Sequence, residues 1–148
     1  MMFFVEEHYP AAVPYFALCL FAGIRPCLRT GEILRLQPAH VKLDANTIRV
    51  DGEVSKVREP RPATIQPSLA AWLRTCPLES YPIIPTNLQH IREKVAEKFP
   101  LSHDVMRHTF ISMFVAKFRS IREASIQAGN SEAIIRQHYL DLKEPCRK

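Results

Sequence analysis

Apolar residues along this chain fall into short blocks separated by prolines, and most blocks repeat with helical rather than strand spacing. The first, from Pro14 to Ala22, is almost wholly apolar and stops at Gly23, which predicts a buried helix closed by a glycine C-cap. Thr30 or Gly31 then opens a second helix carrying Ile33, Leu34 and Leu36 as far as Pro38. "NTIRVDG" behaves differently. It alternates Ile48 and Val50 with polar neighbours and runs into the Asp51-Gly52 turn signal, so a hairpin is expected with its return strand near Arg61 to Ile65. Pro60 and Pro62 confine that return strand to a sheet edge.

Helical spacing resumes at Pro67-Ser68, ahead of Leu69 and Trp72. Thr86 with Gln89 makes a capping-box pattern before a helix reaching about Lys98, and Ser102 caps the next, which carries Val105, Met106, Phe110 and Phe114. Ser120 with Glu123 forms another capping box, and Gly129 ends that helix. Ser131 caps the last helix, through Ile134, Ile135 and Tyr139. The pattern predicts a mainly α domain with a small antiparallel hairpin, an α+β chain over residues 1–148. Neither βαβ alternation nor a Gly-rich phosphate loop is present, which disfavours a doubly wound nucleotide-binding fold.

Composition narrows the class. The 148 residues are 47% hydrophobic and 24% charged, the balance of one soluble globular domain. Twenty Lys and Arg against fifteen Asp and Glu give a net charge of +5, which leans towards a polyanionic partner. Cys19, Cys27, Cys76 and Cys146 form no C-x-x-C pair, which suits a reducing cytoplasm and argues against both a zinc site and a disulfide scaffold. Met1 to Pro10 carries Glu6 and Glu7 in place of a basic leader, and the run from Ala11 to Ile24 is broken by Pro14. Neither a signal peptide nor a membrane span is expected.

"SHDVMRHTF", residues 102–110, sets charged groups at the start of an apolar helix. On a helical wheel Arg107 falls about 40° from His103, with Phe110 and Phe114 each about 20° to either side, so the polar pair heads the apolar stripe. A guanidinium is not desolvated without an anion nearby. Arg107 therefore either meets an internal carboxylate, Asp104 or a nearby Glu, or faces a cleft that receives an external anion, which a helix N-terminus would also favour.

Taken in chain order, "FAGIRPCLRTGEILRL", "EVSKVREPRPATI", "SHDVMRHTF" and "QAGNSEAIIRQHYLDL" resemble the catalytic domain of the tyrosine recombinase (phage integrase) family over nearly the whole chain. That family has an Arg after an apolar helix, a hairpin Lys, a His and an Arg in H-x-x-R-H-T-F, and a Gly-His followed nine residues later by a nucleophilic Tyr. Asn130 to Tyr139 is the same nine-residue step. The resemblance implies phosphoryl transfer on double-stranded DNA without metal or cofactor: Tyr139 attacks a phosphodiester, leaving a 3′-phosphotyrosine and a free 5′-hydroxyl. Forked, permanently charged guanidiniums suit the charge that builds on the non-bridging oxygens. Arg107 is one clamp. Arg25 is the other, as the Arg of G-x-R, with Arg29 the alternative on its R-x-x-E spacing to Glu32. Lys56 inherits protonation of the leaving 5′-oxygen, His103 assists proton transfer or hydrogen-bonds the phosphate, and Asn130 donates to it.

Three departures accompany the resemblance: two candidates for the first arginine, His103 one residue early with Asp104 in the expected place, and Asn130 where the family has His. The resemblance implies a recombinase catalytic domain acting as a homo-oligomer on DNA, in the cytoplasm and away from membranes. The resemblance begins almost at Met1, so the family's N-terminal core-binding domain is expected to be absent from residues 1–148, and only nine residues follow Tyr139. The alternative is a truncated, non-catalytic DNA-binding remnant of an integrase. A helix-turn-helix regulator explains the charge and the short helices but neither Lys56 in a hairpin nor the Tyr139 spacing.

Overall fold

The apolar run ahead of Gly23 becomes helix α2, Val13–Ala22, and its side chains explain why the domain assembles around it. Tyr15, Phe16, Ala17, Leu18 and Cys19 are all fully buried, so α2 is covered on every side instead of along one stripe. A computed structural model describes residues 1–26, 32–50, 61–101 and 105–139. Helix α1, Met2–His8, precedes α2, and the remaining helices are α3 (Pro67–Thr75), α4 (Leu88–Ala96), α5 (Val105–Phe118), α6 (Ile121–Ala128) and α7 (Glu132–Tyr139). α2 packs against α1, α3 and α5. The result is mainly helical with one small antiparallel sheet.

That sheet has three strands in the order β1 (Val41–Lys42), β2 (Thr47–Val50), β3 (Arg61–Thr64). Ile48 pairs with Val41 on one side and Ala63 on the other, and the period-2 alternation buries Ile48, Val50 and Ala63 against the helices. β3 lies at the sheet edge, as its Pro62 requires. Its outer side is nonetheless covered. The Gln127 side chain of α6 accepts from the Thr64 N–H (2.9 Å) and donates to the Thr64 carbonyl (3.1 Å), so one amide takes the place of a neighbouring strand.

Two apolar clusters result. The larger joins α1, α2, the sheet, α3 and α4, with Leu69, Leu73, Ile91 and Val95 filling its far side. The smaller consists of Phe110, Ile111 and Val115 of α5, Ala124 and Ala128 of α6 and Ile135 of α7. It fixes the last three helices as a unit, and Gly23 is where that unit meets α2. Gly23 has φ +69°, and a Cβ there would come within 2.5 Å of the Phe110 ring. The position therefore demands glycine both for its backbone and for its neighbour.

The sequence pattern and the fold differ in three places. The helix expected before Pro38 is a single 3-10 turn, Glu32–Leu34, because the Glu32 carboxylate is drawn inward onto Arg61 and Leu34 is left facing solvent; Thr30 and Gly31 lie outside the described residues. α4 starts after Asn87, one residue beyond the Thr86 capping pattern, and its N-cap side chain makes no cap hydrogen bond. α1 has no matching signal in the apolar pattern: it is short, and it is held by Met2 and Val5 in the core and by Phe4 packed on His8 and Phe99. The return strand, the glycine ends of α2 and α6, and the Ser120 cap on the Glu123 N–H (3.1 Å) match expectation. Asp51-Gly52 and Ser102 lie outside the described residues.

Gly23→Ala is expected to lower stability by about 2 kcal/mol or more, from left-handed strain together with the displaced Phe110 ring. Urea denaturation reads this as a lower midpoint at an unchanged slope.

Candidate anion-binding site

α2 and α6 both end at a left-handed glycine, Gly23 (φ 69°) and Gly129 (φ 70°). Glycine-ended helices leave carbonyls at their C-termini that need donors. Arg107, in the first turn of α5, supplies them to both helices at once. Its Nη1 donates to the Gly23 carbonyl (2.9 Å) and its Nη2 to the Ala128 carbonyl (2.5 Å). The negative ends of two helix dipoles thus converge on one guanidinium, which explains how a 4% exposed arginine is tolerated on an apolar helix.

The same guanidinium reaches the turn between α6 and α7. Arg107 Nη2 donates to Asn130 Oδ1 at 2.7 Å, and Arg25 Nη2 approaches the same oxygen at 3.4 Å. Only the amide oxygen can accept from two guanidiniums, so the amide orientation is fixed by its partners. The Asn130 backbone is held as well: its carbonyl accepts from Ser125 Oγ (2.5 Å), and the preceding Gly129 N–H donates to the Ser125 carbonyl (2.8 Å). Arg25 is held along its main chain. Its N–H donates to Glu32 Oε2 (3.2 Å), its carbonyl accepts from Ile33 N–H (3.4 Å), and the buried Tyr15 hydroxyl donates to the carbonyl of the next residue, Pro26 (3.2 Å).

Glu32 lies below this group as a 9% exposed carboxylate. Arg61 of β3 grips it with both terminal nitrogens, Nη1 to Oε1 at 2.5 Å and Nη2 to Oε2 at 3.1 Å, and Arg107 Nη1 stands 3.9 Å from Oε2. Arg61 Nε also donates to the Gln127 carbonyl (3.2 Å), and a Cβ on Gly129 would fall 2.9 Å from that nitrogen. Among the described residues, two guanidiniums, of Arg61 and Arg107, and the backbone N–H of Arg25 thus gather around one carboxylate, while the Arg25 guanidinium reaches Asn130 instead. A buried carboxylate and its arginines hold together only as a hydrogen-bonded set, since each ion loses water on burial.

Of the residues singled out in the sequence, the structure brings Arg25, Arg107 and Asn130 together. Tyr139 closes α7 one helical turn after the buried Ile135, with its side chain outside the described set. Arg29, Lys56, His103 and Asp104 lie outside the described residues. Of the two partners foreseen for Arg107, an internal carboxylate is present as Glu32, joined by two backbone carbonyls and an amide. Arg61 and Gln127 escaped the sequence reading. A strand arginine between two prolines and a glutamine in the last turn of a helix look like solvated surface groups, and only the close packing of β3 on α6 reveals their roles.

Other chemistries find less to work with. Among the described residues no group of three or more His, Cys, Asp or Glu could hold a metal ion, and no helix is long and apolar enough to cross a membrane. Cys19 is buried, and burial, aided by the charge of Glu6, pushes the Cys76 thiol above its ordinary range, away from a reactive thiolate. Compared with family models, curated proteins and solved structures, the chain finds no match.

Removing the carboxylate separates a structural node from a decorative one. Glu32→Ala leaves clustered arginines without their counter-ion and is expected to cost about 3 kcal/mol or more, whereas Glu32→Gln, which keeps one acceptor oxygen for Arg61 Nη2 and the Arg25 N–H, costs clearly less. Urea midpoints of the two variants provide the comparison.

Proposed function

We propose that this chain acts on DNA phosphodiesters, with Arg25 and Arg107 holding the phosphate and Tyr139 as the nucleophile of a strand-breaking and rejoining reaction of the tyrosine recombinase kind. The observation that carries the reading is the oxygen of Asn130 bridging two guanidiniums, at 2.7 and 3.4 Å. An amide oxygen between two forked cations occupies the kind of position that a non-bridging phosphate oxygen takes, and a phosphate there would offer charge where the amide offers only a dipole. The net charge of +5 favours the approach of a polyanion.

In this reading the phosphate displaces the Asn130 oxygen, and the two arginines stabilise the charge that grows on the phosphorus oxygens during attack. The Tyr139 oxygen forms a bond to phosphorus while the bond to the 5′-oxygen breaks. The proton that the tyrosine loses passes by way of His103 or solvent, and Lys56 supplies one to the departing 5′-oxygen. Attack by a 5′-hydroxyl on the phosphotyrosine reverses these bond changes and rejoins the strand. Assembly of several copies on double-stranded DNA belongs to the same proposal. Tyrosine needs such assistance, because its ordinary pKa of about 10 leaves little phenolate at neutral pH.

A second reading, DNA binding without strand transfer, is favoured by Asn130 itself. An amide can hydrogen-bond a phosphate but cannot pass a proton, and here its oxygen is engaged by Arg107.

A nicked suicide duplex decides between the two. Strand transfer predicts a covalent protein–DNA adduct that Tyr139→Phe abolishes and that Arg107→Lys slows by about a hundredfold, since a point charge replaces a fork. DNA retained with no adduct selects the second reading. Either way, phosphate contacts predict that affinity falls linearly with salt on logarithmic axes, and a flat response counts against both.

A further inference from the structure

Glu32 is an awkward neighbour for an anion site. Its Oε2 stands 3.9 Å from Arg107 Nη1 and 3.2 Å from the Arg25 backbone nitrogen, so a negative charge sits beside the Arg107 guanidinium and the Arg25 main chain. A carboxylate in that place can collapse onto Arg107 and compete with any incoming anion. Arg61 prevents this. Arg61 grips both oxygens of Glu32, at 2.5 and 3.1 Å, and its contact to Oε2 is the shorter by 0.8 Å when set beside the 3.9 Å to Arg107. The bidentate fork satisfies the carboxylate in its own plane.

We propose that Arg61 is a positioning residue for the anion site. It neutralises and immobilises Glu32, so that Arg25 and Arg107 present their charge to the phosphate and not to the carboxylate beneath them. Arg61 does this without touching the anion. The inference rests on the phosphate-binding reading of Arg25 and Arg107 given above. The fold is built to keep Arg61 in place. β3 delivers it, the Gln127 carbonyl accepts from its Nε at 3.2 Å, and Gly129 leaves room for it, since a Cβ there would fall 2.9 Å from the same nitrogen. The side chain that neutralises Glu32 thus also lies against the turn that carries Asn130, tying the charge balance of the site to its geometry.

The test is a pair of substitutions read by duplex binding at several salt concentrations and by adduct formation on the nicked substrate. Arg61→Met removes the fork, and Glu32 then pairs with Arg107. Duplex affinity is expected to fall by about tenfold or more, with a shallower salt dependence as one phosphate contact is lost. Adding Glu32→Gln to Arg61→Met removes the competing charge and is expected to restore most of that affinity, although it restores none of the packing of the arginine side chain. Should Arg61→Met fail to fold, as its urea midpoint and circular dichroism would show, Glu32→Gln alone carries the test: it is expected to bind duplex more tightly than wild type, because the negative charge that competes for Arg107 is then gone. Double substitution no better than Arg61→Met, or Glu32→Gln weaker than wild type, overturns the role of Arg61, and means that it serves packing or contacts DNA itself. If wild type retains no duplex at any salt concentration, the phosphate-binding reading fails and this inference fails with it; retention by wild type without rescue refutes the inference alone.

Discussion

Everything near the candidate site depends on burying the guanidinium of Arg107 at the junction of two helix ends. α2 and α6 each finish on a left-handed glycine and each leave a carbonyl aimed at the same place, and Arg107 donates to both. An apolar side chain there would leave carbonyls unsatisfied in the interior, and a charged one without these partners could not be buried. The interaction therefore decides how α5 seats against α2 and where the α6–α7 turn falls. Phe110, one turn further along α5, packs where Gly23 has no Cβ, so apolar and polar contacts at this junction require each other.

The same junction has chemical consequences because it collects charge from distant parts of the chain. Arg25, Glu32, Arg61, Arg107 and Asn130 come from five separate segments and meet through hydrogen bonds and ion pairs. Such a set stays ordered only if each member is partnered, and no buried side-chain nitrogen or oxygen among the described residues lacks a hydrogen-bond partner. An anion entering between Arg25 and Arg107 would find its donors already oriented, needing only the Asn130 oxygen to leave. Preorganisation of this kind favours tight, geometrically selective binding of an oxyanion, which is what the proposed phosphoryl transfer asks of the protein.

Local signals in the sequence carried much of the fold. Gly23 and Gly129 marked the ends of α2 and α6, Ser120 and Ser131 marked starts, and the Ile48/Val50 alternation marked β2. The failures were equally local. Apolar spacing at Ile33, Leu34 and Leu36 promised a helix, but the inward pull on Glu32 won over propensity and left a single 3-10 turn. For the site, Arg25, Arg107 and Asn130 were legible because chemistry and order along the chain singled them out. Arg61 was not, since its role arises from β3 lying against α6, a contact between residues more than sixty positions apart that no periodicity encodes.

The central claim is that Arg25 and Arg107 form a prepared receptor for a phosphodiester, and a side-chain spectrum measures it most directly. In arginine-selective proton–nitrogen correlation spectra, titration with dimethyl phosphate is predicted to move the Arg25 and Arg107 signals together along one saturable curve, with Arg61 shifting less. Contradiction would be an Arg107 signal that stays fixed while exposed arginines such as Arg119 and Arg122 drift with ionic strength alone.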